Sequence, residues 1–360
     1  MTISLTDPAP RALRLELAVE AGLALPSSGT IAVFHPRAGE WLDPLPRERV
    51  QIVTPHAPDH AAFVAQGYSC AQAATGPYTA ALVCLPRSRS EARDLLAQAA
   101  ALTDGPVIVD GQKTDGADAL LRELRDRVEL SEVIAKGHGK IAWFPSPGDT
   151  LGTWRAVASD LSDDTRSYQT LPGLFSADGI DAASALLAQM LPAGLKGQVA
   201  DMGAGWGYLS AQLLAKAPGI AALHLIESDA RALGCARLNV TDPRAQFHWA
   251  DATNPLPRLP LDAVIMNPPF HQGREARPQL GVAFIQSAAK MLKPGGQLFI
   301  VANRHLPYET TLAACFRKLT EEPGNAGFKL FVAEGPVREL KAAKARTAAP
   351  RAGHSKGRRA

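Results

Sequence analysis

A glycine-rich turn with the sequence VADMGAGWG, at residues 199–207, is the strongest chemical motif of the chain. It follows an apolar strand pattern and precedes a helical pattern, which is the context of a nucleotide-binding turn. Its glycines are Gly203, Gly205 and Gly207. Asp201 precedes them, and Tyr208 stands where a dinucleotide fold needs its third glycine. An acid at this place would repel a pyrophosphate but suits a ligand with an ammonium group. The alternative interpretation is a tight turn between strand and helix that binds no ligand.

Two acids beyond the turn stand where an adenosine would need them. Glu227 ends the next strand pattern, 26 residues after Asp201, and a carboxylate there can accept hydrogen bonds from both ribose hydroxyls. Asp251 lies in the segment HWADAT, after a short apolar stretch, and can accept from an adenine amine. Either acid alone would be typical of a solvated loop. In register with the glycine turn, the two acids favour an adenosine site.

A second motif, Asn267-Pro268-Pro269-Phe270, follows the apolar run DAVIM. The two prolines stiffen the turn and remove two N–H donors, so that carbonyl acceptors remain. The Asn267 amide oxygen and the Pro268 carbonyl can accept both protons of an exocyclic amine, which makes its nitrogen nucleophilic. Phe270 can stack on a flipped planar base. The motif therefore predicts chemistry on an amine, with an ordinary proline-rich turn as the alternative.

Alternating elements must position these motifs. The spacing of apolar residues predicts helices over 178–191, 208–217, 230–240 and 281–296, and strands over 198–203, 222–228, 262–267 and 296–303. Nearly continuous apolar strands that alternate with helices are typical of a parallel sheet covered on both faces. The second half of the chain is therefore predicted to be an α/β domain.

The first half shows the same alternation without the chemistry. Strands are predicted over 49–55, 79–86 and 105–111, and helices over 89–102 and 116–128. No glycine-rich turn follows any of these strands, so we interpret residues 1–150 as a scaffold or substrate-binding domain. The segment 145–173, dense in Pro, Gly, Ser, Thr and Asp, is the predicted junction. The second domain is predicted to span residues 165–338.

Composition and charge exclude several classes of protein. Apolar residues make up 46% and charged residues 20% of the 360 residues, which excludes a disordered or coiled-coil chain. No apolar run approaches the length of a membrane span, and the N-terminal residues lack the apolar stretch of a signal peptide. The four cysteines form no CxxC pair, which argues against a zinc site or a disulfide framework and predicts a cytoplasmic protein.

The last twenty residues, 341–360, differ in charge from the rest. They contain seven Lys and Arg residues and no acid, whereas residues 1–340 have a net charge of −4. Such a tail has little to bury, so we expect it to be disordered. It is either an arm that binds phosphates or a terminus that only aids solubility.

Together these motifs resemble class I S-adenosylmethionine methyltransferases that act on exocyclic amines. The segments TLPGLFSADGIDAASALL (170–187), NPPFHQG (267–273) and IVANRHLPY (300–308) are similar to two types of ribosomal RNA guanine-N2 methyltransferase, type C for the small ribosomal subunit and type G for the large one. The resemblance is good over 170–335 and weaker in the first half. It implies two tandem Rossmann-like domains, of which the N-terminal one is degenerate, with catalysis in the second and RNA recognition shared with the first.

The resemblance also implies roles for individual residues. S-adenosylmethionine would be contacted by Asp201, Gly203, Gly205, Gly207, Glu227, Asp251 and Asp181. The catalytic motif would consist of Asn267, Pro268 and Phe270. The substrate would be a guanine of ribosomal RNA, in a ribosomal subunit or an assembly intermediate. Features of both types occur, so the small-subunit target is only slightly favoured over the large-subunit one.

Two other functions remain open at this point. A protein-glutamine N5 or DNA-adenine N6 methyltransferase would use the same Asn-Pro-Pro-aromatic motif, although the aromatic residue there is more often Tyr. A non-catalytic RNA-binding protein with a relic cofactor fold would show a broken glycine turn or would lack Asn267, and this chain shows neither.

Deletion of residues 341–360 should weaken RNA binding and flatten its salt dependence, because up to seven phosphate contacts would be lost. Each lost contact should reduce the slope of log K against log salt by about 0.7–0.9. Filter binding from 50 to 300 mM salt measures this slope. The rate at saturating RNA should be retained, and an unchanged slope would indicate a tail that only aids solubility.

Overall fold

Two seven-stranded sheets organise the chain. The computed structural model describes residues 10–256, 259–269, 271–272, 275–276 and 278–337. We call the part built on the first sheet the N-terminal domain and the part built on the second sheet the C-terminal domain. No helix within these described residues is long and apolar enough to cross a membrane.

The N-terminal domain contains seven strands and four helices. Its strands are β1 (Ile31–Phe34), β2 (Val50–Val53), β3 (Ser69–Ala71), β4 (Ala80–Cys84), β5 (Pro106–Gln112), β6 (Ile134–Lys136) and β7 (Gly139–Pro145). Its helices are α1 (Pro10–Glu20), α2 (Ala57–Ala65), α3 (Arg89–Leu102) and α4 (Ala117–Arg125). The strand order is β3-β2-β1-β4-β5-β7-β6, and only β7 runs antiparallel to its neighbours within this described sheet. Every residue of β1 and β4 is buried, so helices cover both faces of the sheet.

The predicted junction 145–173 divides between the two cores. A 3₁₀ helix over Gly148–Trp154 packs Trp154 into the core of the N-terminal domain. A hairpin of β8 (Ser159–Ser162) and β9 (Ser167–Thr170) follows, and its Tyr168 packs into the core of the C-terminal domain. The boundaries at 150 and 165 remain predictions.

The C-terminal domain repeats the first sheet's order. Its strands are β10 (Gly197–Met202), β11 (Ile220–Glu227), β12 (Ala245–Trp249), β13 (Leu261–Met266), the short pair β14 (His271–Gln272) and β15 (Glu275–Ala276), β16 (Leu292–Asn303), β17 (Phe316–Glu322) and β18 (Phe328–Pro336). Its helices are α5 (Ala182–Met190), α6 (Tyr208–Lys216), α7 (Ala230–Asn239), α8 (Pro278–Met291) and α9 (Glu309–Cys315). The order is β12-β11-β10-β13-β16-β18-β17, with β18 antiparallel to its neighbours. The prediction of two tandem Rossmann-like domains is confirmed.

Several boundaries differ from the predictions for local reasons. The helix predicted over 178–191 begins at Ala182, because the side chain of Asp181 accepts the N–H of Ser184 at 2.7 Å and caps the helix there. The helix predicted over 281–296 ends at Met291, and the Pro and two Gly residues that follow lie in β16 instead. Strand β1 and the pair β17 and β18 have no counterpart among the predicted elements.

A buried ion pair anchors helix α1 on the first sheet. Arg14 is fully buried, and its Nε and Nη2 donate to the two carboxylate oxygens of Asp110 at 2.6 and 2.8 Å. Arg11 also contacts Asp110, at 2.5 Å, and Glu40, at 3.1 Å. Because the charges are removed from water, each depends on its partner.

Replacing Asp110 with alanine should lower the free energy of unfolding of the N-terminal domain by about 3–5 kcal/mol, because Arg14 would lose its carboxylate partner and Arg11 would keep only Glu40. Asp118→Ala is the matched control, since it breaks only the solvent-exposed pair with Lys140 and should cost far less stability. Urea unfolding measures both. Equal losses for the two variants would contradict this account.

Candidate functional site

Two adjoining cavities open at the carboxyl end of the second sheet. The larger has a volume of about 650 Å³, which suits a small-molecule ligand, and its lining includes Glu227, Asp251 and Pro268. The smaller is lined by Asp181 and Ser184, among others. Both are bounded by Phe175, Gly203, Gly205 and Asn267. Among the residues described, no group of three or more His, Cys, Asp or Glu side chains could hold a metal ion.

The glycine turn joins β10 to α6, as predicted. Gly203, Gly205 and Gly207 have φ values of +75°, +55° and +92°, in the left-handed region that glycine adopts without strain. The N–H of Gly203 donates to the carbonyl of Ile226 at 2.8 Å, and the N–H of Gly205 donates to Glu227 Oε2 at 2.8 Å. The turn therefore rests on the end of β11, and Glu227 helps to shape it.

The glycines differ in their surroundings. A Cβ atom at Gly205 would meet no heavy atom within 4 Å, so this residue faces open space in the cavities. A Cβ atom at Gly207 would lie 2.9 Å from Val240 Cγ2, and Gly207 lines neither cavity. The cofactor contact of Gly207 stays a prediction, and in this structure its missing side chain lets the turn pack against the end of α7.

Asp201 is placed differently from the prediction. Its side chain is fully buried and lines neither cavity. Asp201 Oδ2 accepts from Ser210 Oγ at 2.8 Å, and Oδ1 has no hydrogen-bond partner among the described residues. Burial raises the pKa of Asp201 to about 7, and the hydrogen bond from Ser210 opposes this shift only in part. The carboxylate thus supports the turn from within the core, and its contact with a cofactor stays a prediction.

The two acids predicted for an adenosine both line the larger cavity. Glu227 accepts the N–H of Asp229 on Oε1 at 2.9 Å, while burial raises the pKa of Glu227. Asp251 accepts from the N–H and Oγ1 of Thr253 at 2.8 and 2.7 Å, which fixes a turn. Each oxygen of a carboxylate has two lone pairs, so both side chains keep acceptor capacity toward the cavity.

The side-chain amide of Asn267 is held in one orientation. Its Nδ2 donates to Asp181 Oδ2 at 2.8 Å and to Ser184 Oγ at 2.9 Å. These two bonds use both amide hydrogens and identify Nδ2, so Oδ1 is the atom left to accept from a ligand. Asp181 holds Asn267, caps α5 and lines the smaller cavity, and its contact with a cofactor stays a prediction.

The remaining residues of the second motif are only partly described. Pro268 is buried and lines the larger cavity beside Asn267. Phe270 lies outside the described residues, so its stacking role stays a prediction.

Three lining residues were not predicted individually. Phe175 is 61% exposed although it is aromatic, and its carbonyl accepts from Trp206 Nε1 at 3.0 Å, which ties its segment to the glycine turn. Its position before the capped helix α5 was the only available signal. Ser184 reaches Asn267 from α5, and His56 comes from the N-terminal domain. Both depend on contacts between residues far apart in the sequence.

Comparison with known proteins gives consistent matches. The profile of the Methyltransferase small domain family matches residues 166–332. The Ribosomal RNA small subunit methyltransferase C of Pseudomonas paraeruginosa is 33% identical over 278 residues, which are 74% of this chain and 82% of that protein. The Ribosomal RNA large subunit methyltransferase G of Shewanella amazonensis is 29% identical over 266 residues, 70% of this chain and 68% of that protein.

A solved structure matches nearly the whole chain. The T. thermophilus 16S rRNA guanine-N2 methyltransferase, solved in complex with AdoMet and guanosine, superposes with a TM-score of 0.73 at 26% identity. The match covers 91% of this chain and 94% of that one, so it includes both sheets.

Asp201→Asn should stabilise the cofactor-free protein more at pH 8 than at pH 5. The folded pKa of about 7 lies above the ordinary value of 3.8, so the folded state binds the extra proton between these values. The stability that depends on this proton is present below about pH 4 and is lost as the pH rises through about 7. Asparagine removes the buried charge and can still accept from Ser210. Urea unfolding at the two pH values measures the difference.

Asp262→Asn provides the opposite control. Although burial opposes it, the hydrogen bond from Lys293 at 2.7 Å keeps the pKa of Asp262 below its usual range. The stability that the ionised Asp262 contributes is present above about pH 4 and is lost as the pH falls. Asp262→Asn should therefore destabilise the protein at pH 8. A pH-independent effect of Asp201→Asn would contradict the inferred shift.

Proposed function

This chain belongs to the family of ribosomal RNA methyltransferases that includes the small-subunit enzymes of type C and the large-subunit enzymes of type G, and from that premise we propose that it methylates the N2 amine of a guanine in 16S ribosomal RNA. It is an S-adenosylmethionine-dependent enzyme. The relative solved with guanosine supports the base, and the small-subunit names among the relatives support the 16S target. A ribosomal substrate also supports the predicted cytoplasmic location.

The observation that carries the proposal is the fixed orientation of Asn267. With both amide hydrogens donated to Asp181 and Ser184, its Oδ1 is an obligatory acceptor at the wall of both cavities. A group that offers only acceptor capacity suits a ligand that offers protons, and an exocyclic amine does so. We propose Asn267, the adjacent Pro268 carbonyl and Phe270 as the catalytic motif.

The cavity residues fit S-adenosylmethionine. Gly203 and Gly205 line the larger cavity, and Gly205 leaves open space that a side chain would fill. The carboxylates of Glu227 and Asp251 offer acceptors for ribose hydroxyls and an adenine amine. The acidic lining also suits a cofactor with a sulfonium and an ammonium group. When bound, S-adenosylmethionine supplies an electrophilic methyl group. We therefore propose these four residues as its binding residues, with Asp201 acting through the turn.

The chain's own residues prepare the amine. Acceptance of both amine protons by Asn267 Oδ1 and the Pro268 carbonyl would draw the nitrogen lone pair out of conjugation with the ring and direct it toward the methyl group. The need for these acceptors is greatest when the nitrogen becomes tetrahedral, so the stabilisation falls mainly on the transition state. No strong base is required, because the methylated ammonium is itself acidic and loses a proton to water.

Asn267→Ala should reduce the single-turnover methylation rate by about 10²–10³-fold, because it removes a preorganised acceptor from the transition state. Affinity for S-adenosylmethionine should stay near that of the wild type, since Glu227 and the glycine turn are intact. The measurement uses labelled S-adenosylmethionine with 30S subunits and with naked 16S RNA, followed by mass spectrometry of the modified nucleotide.

Ser184→Ala is the graded comparison. It leaves Asn267 and its bond to Asp181 in place and removes one of the two acceptors of the amide, so its rate should lie between those of the wild type and Asn267→Ala. Transfer by Asn267→Ala within a few-fold of the wild type would reject the motif. Methylation of 23S RNA alone would reject the 16S target.

A further inference from the structure

A segment of the N-terminal domain lies directly behind the loop that carries Glu227. The N–H of Ala57 donates to the carbonyl of Ser228 at 2.8 Å, and the N–H of Ala230 donates to the carbonyl of Pro55 at 2.9 Å. Trp249 Nε1 donates to the same Pro55 carbonyl at 2.7 Å. The ends of β11 and β12 are therefore bonded to residues 55–57 of the other domain.

The same segment reaches the larger cavity. His56 and Pro58 line it together with Glu227, Ser228 and Asp251. His56 Nδ1 lies 2.8 Å from Asp59 Oδ2, and because an ionised carboxylate only accepts, Nδ1 carries the proton. The second ring nitrogen, Nε2, is thus left for another partner. Among the described residues that line this cavity, His56 is the only one with a basic side chain.

The charges around His56 indicate which ligand it meets. Asp59 on α2, Asp229 before α7 and Glu227 at the end of β11 all act on its ring, and the bond from Asp59 raises the pKa of His56 although burial opposes this. Three carboxylates around one imidazole disfavour a phosphate and favour a neutral or cationic group. A ribose hydroxyl meets this condition, and it can either donate to Nε2 or accept from it.

We propose that the N-terminal domain forms one wall of the cofactor site, with His56 Nε2 hydrogen-bonded to the adenosine part of S-adenosylmethionine beside Glu227. The inference rests on the proposed function for the position of the cofactor. It gives the domain that lacks a glycine turn a direct part in binding the cofactor, in addition to any contact with RNA.

The test compares two histidines one helical turn apart. His56→Ala should weaken binding of both S-adenosylmethionine and S-adenosylhomocysteine by about threefold to tenfold, the effect of one hydrogen bond, because both ligands carry the same adenosine. His60→Ala is the matched control: its ring packs against Trp249 at 5.0 Å across the same domain contact, but it does not line the cavity. Its affinity for both ligands should remain near that of the wild type. Calorimetry at pH 6 and pH 8 gives the affinities.

The loss caused by His56→Ala should be similar at both pH values, because a ribose hydroxyl pairs with either protonation state of Nε2. An unchanged cofactor affinity with a raised KM for 30S subunits would overturn the proposal in favour of an RNA phosphate. A loss of cofactor affinity confined to pH 6 would overturn the pairing of His56 with a ribose hydroxyl. Equal losses for the two variants would also overturn it, since the effect would then come from the packing of the domains.

If His56→Ala does not fold, His56→Phe fills the same space without a hydrogen-bonding group, and its affinities are read in the same way. Wild-type protein that binds S-adenosylmethionine but methylates no ribosomal RNA would reject the proposed function. The calorimetric comparison of His56 and His60 would still stand in that case.

Discussion

One row of paired residues in the second sheet determines where the chemistry is placed. Met202, the last residue of β10, pairs with Ile226 of β11 on one side and with Met266 of β13 on the other. The residues that follow these three are Gly203, Glu227 and Asn267. The glycine turn, the Glu227 carboxylate and the Asn267 amide therefore lie side by side at the same edge of the sheet. Neighbouring strands lie about 4.8 Å apart, which brings all three within reach of one small ligand. A shift of one residue in either pairing would turn these side chains to the opposite face of the sheet.

The first sheet has the same row without the functional groups. Phe34 of β1 pairs with Val53 of β2 and with Val83 of β4, in the positions that Met202, Ile226 and Met266 occupy in the second sheet. The residues that follow are His35, Thr54 and Cys84, which offer no glycine, no carboxylate and no amide. Just beyond Thr54 the chain turns into the segment 55–58, which bonds to the C-terminal domain. The same sheet topology thus carries the candidate site in the C-terminal domain and a supporting surface in the N-terminal domain.

The sequence predicted most of this architecture because its evidence is local. Alternating apolar runs and the order of the glycine turn are read within about ten residues. Strand β1 was missed because it has only four residues, IAVF, which are too few to distinguish a strand from other buried segments. The burial of Asp201 could not be predicted either, because spacing along a strand does not show which side the core lies on.

The contacts that complete the site could not be predicted, because they join distant parts of the chain. Asn267 and Asp181 are 86 residues apart, and Trp249 and Pro55 are 194 apart. Such pairs depend on how helices and domains pack, and one sequence contains no local sign of them. The sequence pattern identified the residues at the strand ends, but it could not identify the residues to which they are hydrogen-bonded.

In the proposed reaction, the anchored amide of Asn267 would also select among nucleobases. An unrestrained asparagine can rotate its amide and offer either a hydrogen or a lone pair, so it would accept a keto edge as readily as an amino edge. Because Asp181 and Ser184 remove that freedom, a carbonyl oxygen or an unprotonated ring nitrogen would meet lone pairs with lone pairs and would leave buried acceptors unsatisfied. Uracil, which carries no exocyclic amine, would thereby be disfavoured at the reacting position. Because the amide hydrogens of Asn267 are already donated, this selection would depend on the exocyclic amine of the base and not on contacts with the RNA sequence.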